Sequence, residues 1–292
     1  MQAVDTILSG GVVVTMDKQF ELIQDGAVAI HADKIVAVGS KDDVLAAYSS
    51  ENVVDCDGKY ILPGLINAHT HVPMTLLRGL ADDLRLDVWL IGYVMPVERE
   101  FVTPEFCRLG TQIACAEMIR SGVTSFADMY YFESEIAQAT ADAGLRGVLG
   151  QSILKFPAPD ADTYEDSLAY TRRFIERWKG HPLITPAVAP HAPYTNTDET
   201  MRLCADLAVE YDVPLLVHIA ETASEVDDSI EEFGLRVVER VDGSSVQLFR
   251  AKTLCAHCVH IKPFEMRIIH DRKATVAHCP SSNLKLASGI AP

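Results

Sequence analysis

The stretch Pro63-Gly64-Leu65-Ile66-Asn67-Ala68-His69-Thr70-His71 decides how this chain is organised. An apolar run leads directly into two histidines that are two residues apart. Because side chains alternate between the two faces of a β-strand, His69 and His71 fall on one face. Neutral imidazole is the commonest metal ligand in proteins. The spacing therefore indicates half of a metal site, with a simple polar pair at a strand end as the alternative.

The bulk composition is that of a globular protein. The chain has 292 residues, of which 48% are hydrophobic and 23% are charged, which is enough for one large domain or two smaller ones. It carries 25 basic and 41 acidic residues, giving a net charge of −16. This balance argues against nucleic acid and against an anionic membrane surface as partners. No uninterrupted apolar run approaches the ~18–20 residues that a membrane span needs.

The cysteines and the N-terminus indicate a cytoplasmic protein. The seven cysteines are odd in number, and several lie inside apolar runs, which fits reduced, buried thiols better than a disulfide framework. The first residues lack the basic segment and apolar core of a signal peptide.

Two domains are predicted from the change in pattern along the chain. Residues 1–57 contain short β-branched runs separated by turns, at 4–8, 11–16, 26–31 and 34–38, with one short helix near 41–48. We interpret them as a small β-sandwich domain that is incomplete within this chain. Residues 58–292 alternate apolar strands with helical segments, which is typical of βα units and a parallel sheet. The expected strands lie at 61–68, 123–128, 145–151, 184–190, 214–219, 252–257 and 274–278.

Seven strand–helix steps predict an α/β fold of the (β/α)₈ TIM-barrel type with seven of its eight strands present. Residues 58–292 would form this metal-dependent barrel domain. The chain ends at Gly289-Ile290-Ala291-Pro292, without a helix cap or a completed strand. We therefore expect it to be the N-terminal portion of a longer protein, which we expect to be a homo-oligomer when full length.

Polar groups gather where the barrel strands are expected to end. Chemistry in a parallel barrel lies at the C-terminal ends of the strands. The polar residues at these ends are His69, His71, Asp128, His191, His218, Glu221, His257 and His278. His69, His71 and His218 supply three nitrogens, which fits one divalent metal with an open water position, zinc in the first place and Fe²⁺ as the alternative.

Several further residues near these strand ends have less specific signals. Glu221 can reach a substrate beside the metal and act in general acid–base catalysis. Glu225 reads as a solvated loop glutamate, and Asp128 reads equally well as a hydrogen-bonding residue at a strand end. His278 is left out of the inner shell. The Cys255-Ala256-His257-Cys258 segment reads as packing at a strand end, because no second CxxC pair exists to complete a zinc ribbon.

Four motifs in order resemble the amidohydrolase superfamily. They are the opening stretch, His218-Ile219-Ala220-Glu221-Thr222, Ala256-His257-Cys258-Val259-His260, and the segment from His278 to Leu286. Within the superfamily the chain resembles the deaminases of 5′-methylthioadenosine and S-adenosylhomocysteine. That likeness rests on Pro73-Met74-Thr75-Leu76-Leu77-Arg78-Gly79, Leu86 to Leu90 and Met95-Pro96-Val97-Glu98.

The resemblance implies roles for individual residues. Glu98 would hold the ribose hydroxyls, Trp89 would pack on the nucleoside, and His191 and Arg146 would bind the substrate. The strand-eight aspartate that binds the metal in that family lies beyond this chain. His191 stands where two-metal members carry a bridging lysine, so one metal is expected. Residues 151–162 differ from the family's loop near the 5′ substituent, which leaves the choice among adenosine derivatives open.

The function expected from these residues is metal-dependent hydrolytic deamination of an adenine nucleoside, with water attacking C6 and ammonia leaving. Glu221 would protonate the ring nitrogen N1, and His257 would orient the attacking hydroxide. The alternatives are triazine dechlorination, guanine or cytosine deamination, and an inactive fragment or scaffold. The expected partner is a small-molecule nucleoside rather than nucleic acid or a membrane.

Overall fold

The computed structural model covers residues 1–292 and divides the chain into two compact units, Met1–Leu65 and Ile66–Pro292. The domain boundary expected after residue 57 lies eight residues before this division. Residues 60–61 form a strand that pairs with the long strand at Thr6–Val14, so they pack with the first unit. The first barrel strand accordingly begins at Leu65 rather than at residue 61.

The first unit contains seven strands and one helix. They are β1 (Gln2–Ala3), β2 (Thr6–Val14), β3 (Leu22–His31), β4 (Lys34–Ser40), α1 (Lys41–Ala47), β5 (Tyr48–Ser49), β6 (Val53–Asp55) and β7 (Tyr60–Ile61). Five strands form one sheet in the order β4-β3-β2-β6, with β7 also pairing with β2, while β1 and β5 form a separate parallel pair. The two runs expected at 4–8 and 11–16 are one strand, whose register shifts between Ser9 and Gly11. Such a bulge bends a strand without ending it.

The central strands of the five-stranded sheet carry buried apolar side chains on both faces. Ala27 and Ala29 of β3 pack in one cluster with Val44 of α1. Val28, between them, lies in a second cluster with Val13. Because neighbouring residues of a strand point to opposite faces, this alternation shows that apolar side chains cover the sheet on each side.

The second unit is built on a parallel sheet of seven strands. They are β8 (Leu65–Thr70), β9 (Val123–Tyr130), β10 (Arg146–Ile153), β11 (Ile184–Pro190), β12 (Leu215–Ile219), β13 (Thr253–His257) and β14 (Thr275–Ala277). They follow one another in the sheet in sequence order from β8 to β14. This confirms the predicted α/β fold of the TIM-barrel type with seven strands.

The helices of the second unit lie between successive strands in the sequence, except for the last helix, which follows β14. They are α2 (Leu86–Trp89), α3 (Met95–Phe101), α4 (Pro104–Arg120), α5 (Glu133–Asp142), α6 (Tyr164–Trp178), α7 (Asp198–Tyr211), α8 (Ala223–Phe233), α9 (Val237–Asp242), α10 (Pro263–Asp271) and α11 (Pro280–Lys285). A π-helical turn at Leu90–Val94 joins α2 to α3, and 3₁₀ turns occupy Val72–Leu77, Pro193–Thr195 and Leu248–Arg250. None of the helices has both the length and the apolar character needed to cross a bilayer.

Local sequence explains where the long helices begin. The Thr103, Thr163 and Thr197 side chains each accept a hydrogen bond from a backbone N–H in the first turn of α4, α6 and α7. Threonine is a favoured N-cap residue because its oxygen satisfies one of the four unpaired N–H groups at a helix start. Between the helices, every residue of β12 is buried, as its continuous apolar sequence predicts for a strand covered on both faces.

Candidate active site

Three imidazoles meet at the C-terminal ends of β8 and β12. One ring nitrogen from each of His69, His71 and His218 lies within 4.8 Å of the others. His69 and His71 are partly buried, and His218 is buried. The first two come from the opening motif at the end of β8, and the third comes from β12, four strands further along the sheet. The sheet therefore assembles residues that are almost 150 positions apart in the sequence.

Hydrogen bonds orient two of these rings. His71 Nδ1 lies 2.6 Å from the Met129 carbonyl oxygen, and His218 Nδ1 lies 2.6 Å from the His191 carbonyl oxygen. A carbonyl only accepts, so each Nδ1 carries the proton and donates it. Burial lowers the pKa of His71, and burial together with neighbouring imidazoles lowers the pKa of His69 and His218 well below 6.5. These rings are therefore neutral at physiological pH, which is the state that binds metals.

The facing nitrogens fit a bound cation. With Nδ1 protonated, the Nε2 atom of a neutral imidazole is an acceptor. The Nε2 atoms of His71 and His218 lie only 3.3 Å apart. Two acceptors at this distance repel each other unless a proton or a metal ion lies between them. The donor set thus suits a divalent metal with nitrogen ligands.

Glu221 lies beside this cluster, and its backbone N–H is hydrogen-bonded to the Glu225 carboxylate in the first turn of α8. Its side chain is buried, and burial followed by the charge of Glu225 raises its pKa to about 8. The Glu225 carboxylate accepts the backbone N–H groups of Ala220 at 3.1 Å and Glu221 at 2.8 Å. The interpretation of Glu225 as a solvated loop residue is therefore wrong, because it is 6% exposed and closes the β12–α8 turn.

His257 lies at the end of β13 in an unusual backbone conformation. Its φ is +73°, in the left-handed region that costs energy for a residue with a side chain. Its Nδ1 lies 2.7 Å from Asn283 Oδ1, and Glu221 Oε1 lies 3.5 Å from the same nitrogen. Burial lowers the pKa of His257 to about 4. The ring is therefore neutral, and Asn283 fixes its orientation, with Nε2 left as an acceptor.

Glu98 lies in α3 and is buried, with 5% exposure. Burial raises the pKa of its carboxyl group to about 7, and a hydrogen bond from Tyr130 opposes this rise. The Tyr130 hydroxyl donates to Glu98 Oε1 at 2.7 Å. Glu98 is therefore a buried hydrogen-bond acceptor, although its sequence context, beside Glu100, is that of an exposed helix glutamate.

One cavity of about 210 Å³ unites most of the predicted site. Eight of the nine candidate residues line it: His69, His71, Trp89, Glu98, His191, His218, Glu221 and His257. The pKa of His191 is lowered to about 3, by burial first and then by neighbouring imidazoles. Apolar groups such as Met74, Leu86 and Met95 complete the lining. The arrangement brings a candidate metal centre, an acid and a second carboxyl group to one space.

Arg146 is the exception, because the structure does not bring it to the cavity. It is the first residue of β10 and is exposed, whereas Ser152 near the other end of that strand lines the cavity. At about 3.3 Å per residue, roughly 20 Å of strand separate the two positions. In a parallel sheet, a residue at a strand's N-terminal end lies at the face opposite the chemistry.

Two other strand-end residues lie outside the cavity lining. Asp128 is fully buried, and its Oδ1 accepts the Thr70 hydroxyl at 2.7 Å and the Val72 N–H at 2.6 Å, on either side of His71. It is absent from the cavity lining and so performs the strand-end role. His278 is exposed, in keeping with its exclusion from the inner shell.

Sequence reasoning missed Tyr130, Asn283 and the buried role of Glu225. Tyr130 ends β9, so its strand-end position was a usable signal. Asn283 lies inside the segment from His278 to Leu286, which was recognised only as a motif. Glu225 lies three residues after the Thr222 N-cap, the spacing of a capping box, which places a glutamate against the backbone.

Comparison with known proteins places the chain in a family. Residues 60–292 match the amidohydrolase family, and residues 26–48 match the bacterial imidazolonepropionase-like composite domain. The chain belongs to the amidohydrolase family. The matched region, residues 60–292, includes every residue that lines the cavity.

Individual amidohydrolases are similar to nearly the whole chain. It is 46% identical to the 5-methylthioadenosine/S-adenosylhomocysteine deaminase of Nitratidesulfovibrio vulgaris strain DP4, over 288 residues that cover 99% of this chain and 64% of the relative. It is 41% identical to 5-methylthioadenosine/S-adenosylhomocysteine deaminase 1 of Syntrophus aciditrophicus strain SB, covering 100% of this chain and 66% of the relative. An adenosine deaminase structure from Xanthomonas campestris with bound zinc superimposes with a TM-score of 0.95 at 37% identity, covering 100% of this chain and 66% of that one. The chain thus spans just under two thirds of the length of these relatives.

Proposed function

We propose that this chain carries the metal and nucleoside site of a hydrolytic deaminase that acts at C6 of adenine nucleosides. The observation that carries the proposal is the single cavity lined by three imidazoles, the Glu221 acid and the Glu98 carboxyl group. The names of the similar proteins support the substrate class, which includes 5′-methylthioadenosine, S-adenosylhomocysteine and adenosine.

His69, His71 and His218 would hold one divalent metal. Zinc fits their nitrogen donors and is the metal bound in the similar Xanthomonas structure, with Fe²⁺ as the alternative. Such a cation lowers the pKa of water towards ~7 and so supplies a nucleophile at neutral pH. The chain's contribution is to keep the three rings neutral and two of them oriented through their Nδ1 hydrogen bonds.

Glu221 would serve as the general acid. Its pKa of about 8 keeps it protonated at neutral pH, so it can donate a proton to ring nitrogen N1 while water adds to C6. This transfer prevents negative charge from building up in the purine ring. His257 would accept a hydrogen bond from the attacking water through Nε2 and so orient it, because its Nδ1 is committed to Asn283.

The other end of the cavity would bind the sugar and the base. An ionised Glu98 offers only acceptors, and vicinal ribose hydroxyls offer two donors. Trp89 would pack on the nucleoside, and His191 would contact the substrate beside the metal centre. A site built to pair with hydroxyl groups rejects ligands that lack them, because its buried polar group is then left unpaired.

Deamination of guanine or cytosine and dechlorination of triazines are the rival reactions for such a metal site. Glu98 favours the nucleoside, since a free base or a triazine has no ribose for it to bind. An inactive scaffold would have no need for a buried acid with a raised pKa beside three neutral imidazoles.

The test is substrate profiling of the metal-loaded, full-length protein. Ammonia release is measured with adenosine, 5′-methylthioadenosine, S-adenosylhomocysteine, guanine and cytosine, and chloride release with a chlorotriazine. We expect turnover of at least one adenine nucleoside and about one metal ion per chain by elemental analysis. His71→Ala should lose the metal and the activity, whereas His270→Ala, at an exposed position in α10, should keep both. Faster turnover of guanine or a triazine than of any nucleoside, or full activity without metal, would refute the proposal.

A further inference from the structure

The Tyr130 hydroxyl is the only side-chain group with a hydrogen bond to the Glu98 carboxyl group. Both side chains line the candidate cavity, and they are 3% and 5% exposed. The donor–acceptor distance of 2.7 Å is that of a good O–H···O hydrogen bond. The phenol donates one hydrogen bond, to Oε1. The Oε2 atom and the remaining lone pair of Oε1 therefore stay available to a ligand.

Tyr130 is itself held firmly in place. Its backbone N–H donates to Glu133 Oε1 at 2.9 Å, and the preceding carbonyl, of Met129, accepts from His71. Its ring packs against Tyr131, with ring centroids 4.8 Å apart. Tyr130 therefore lies at the same strand end that orients His71 of the candidate metal centre. Its hydrogen bond to Glu98 holds the Glu98 carboxyl group at a fixed position relative to that centre.

The hydrogen bond affects Glu98 in two ways. It restricts rotation of the carboxyl group, so the free lone pairs point in one direction. It also favours the ionised form, in opposition to burial. A protonated or rotating carboxyl group would bind a single hydroxyl almost as well as a vicinal pair, whereas a fixed carboxylate discriminates between them.

We propose that Tyr130 is a positioning residue that sets the preference of the site for a cis-diol sugar by holding Glu98 in one orientation. The inference rests on the proposed function, because it assigns the sugar end of the same cavity. It extends that function to a residue that acts on the sugar through Glu98.

The experiment compares Tyr130→Phe with the parent in the metal-loaded, full-length protein. The substrates are adenosine, 2′-deoxyadenosine and 3′-deoxyadenosine, which keep the base and remove one hydroxyl at a time. Hydrogen bonds to charged groups are worth enough to change binding by about 10-fold or more. We expect kcat/KM for adenosine to fall by roughly 10-fold, mainly through KM, and kcat/KM for the deoxynucleosides to change by less than about 2-fold.

Tyr211→Phe is the matched control. The Tyr211 hydroxyl of α7 donates to Glu176 Oε1, also at 2.7 Å, but Glu176 is an exposed residue of α6 and neither residue lines the cavity. Its loss should leave the ratio of adenosine to deoxynucleoside turnover unchanged. An unaltered ratio in Tyr130→Phe as well would overturn the proposal.

A double-mutant cycle separates positioning from general structural damage. Glu98→Gln should reduce the preference for adenosine, and adding Tyr130→Phe to it should reduce the preference little further. Independent, additive losses would show that Tyr130 does not act through Glu98 and would overturn the proposal, even if one single variant folds poorly.

Equilibrium binding distinguishes failure of this inference from failure of the proposed function. If the parent releases no ammonia from any nucleoside, the proposed reaction is wrong. Calorimetric titration with adenosine and 3′-deoxyadenosine then still decides the role of Tyr130. A diol preference that Tyr130→Phe removes supports the inference, whereas no preference, or no binding of either nucleoside by the parent, overturns it.

Discussion

The Glu221 side chain is 4% exposed, and its Oε1 lies 3.5 Å from His257 Nδ1. Water solvates a carboxylate far better than the protein interior does, so burial favours the neutral acid. Glu225, four residues later, adds like charge in the same direction. The residue is therefore protonated where an ordinary glutamate is ionised, and this is the state that a proton donor to N1 requires.

At the residue scale, we predict that Glu221→Gln keeps the metal and loses turnover. Glutamine has nearly the same size and retains one acceptor oxygen, but it has no proton to transfer. Loss of a general acid lowers kcat by about 10²–10⁴-fold. In the parent, kcat should fall as the pH rises through about 8, because Glu221 then ionises. Metal analysis and a kcat–pH profile check both expectations; a fully active Glu221→Gln enzyme would contradict the assigned role.

At the scale of the element, the turn between β12 and α8 carries the acid. Ala220 has a φ of +49°, and Glu225 accepts the N–H groups of Ala220 and Glu221 on its two oxygens. The Thr222 hydroxyl, meanwhile, accepts the Glu225 N–H as the N-cap of α8. This network compensates for the unfavourable backbone and directs Glu221 towards the cavity.

We predict that Glu225→Gln weakens this turn and moves the titration of Glu221. The new amide NH₂ faces a backbone N–H donor, so one hydrogen bond is lost. Leaving a buried donor unpaired reduces the free energy of unfolding by about 1–3 kcal/mol. Removing the Glu225 charge also lowers the pKa of Glu221, so kcat should fall at a lower pH than in the parent.

Chemical denaturation and the kcat–pH profile measure these two effects. The groups facing this pair include His257 and Tyr194 beside Glu221, and Arg240 and Cys258 beside Glu225. All of them stay unchanged in the variant. Glu231→Gln, at an exposed position of the same helix, is the matched control and should alter neither quantity. An unshifted profile in Glu225→Gln would show that Glu225 does not influence the acid.

At the scale of the whole molecule, several buried carboxyl groups share a raised pKa. The values are about 7 for Glu98, Asp128 and Glu225, and about 8 for Glu221, with burial the first cause in each case. Between an ordinary carboxyl pKa near ~4 and these values, the folded state binds more protons than the unfolded state. Folding stability therefore decreases as the pH rises through this range and levels off above it.

The buried imidazoles act in the opposite sense. Their lowered pKa values make the unfolded state bind more protons below about pH 6.5, so their contribution to stability is lost as the pH falls. Above this value the imidazoles of the unfolded state lose their protons as well, so their opposing contribution becomes small by about pH 7.5. The carboxyl groups, whose raised pKa values lie near 7 and 8, then dominate the pH dependence up to about pH 8.

We predict that the metal-free protein becomes less stable between pH 6.5 and 8, and that Asp128→Asn flattens this decline. The amide keeps an oxygen that accepts from Thr70 and Val72 but cannot ionise. Urea denaturation at several pH values after chelation measures the effect. Asp227→Asn, at an exposed position, should leave the slope as it is. A slope that is equally steep in Asp128→Asn would show that Asp128 is already ionised at pH 6.5.

The fold was predictable because its signals are local. Apolar runs that alternate with capped helices placed the strands β9 to β13 within two or three residues of their observed bounds. The boundary expected after residue 57 differs from the observed division after Leu65 because β7 pairs with β2, and such a pairing joins residues almost 50 positions apart. Hydrophobic periodicity contains no information about which strand a short segment joins.

The site was predictable where residue type and strand position coincide. His69, His71, His218, Glu221 and His257 follow strand ends, and in a parallel barrel these ends meet at one face. Arg146 was assigned by resemblance, and the structure places it at the start of β10, outside the cavity lining. Glu225 looked solvated because a charged residue in an isolated turn has no visible partner.

The sequence by itself determined the order of strands and helices, the family motifs and the set of histidines that can bind a metal. Only the tertiary structure decided how those groups behave. It brought His71 and His218 Nε2 to 3.3 Å, buried Glu221 and Glu225 together, and set the Tyr130 hydroxyl on Glu98. The physical reason is that protonation and orientation depend on desolvation and on partners from distant strands. The spacing of His69 and His71 thus predicts a metal site from the sequence alone. The folded sheet adds the third ring, that of His218, and the backbone carbonyl groups that orient the rings so that the site fits a cation.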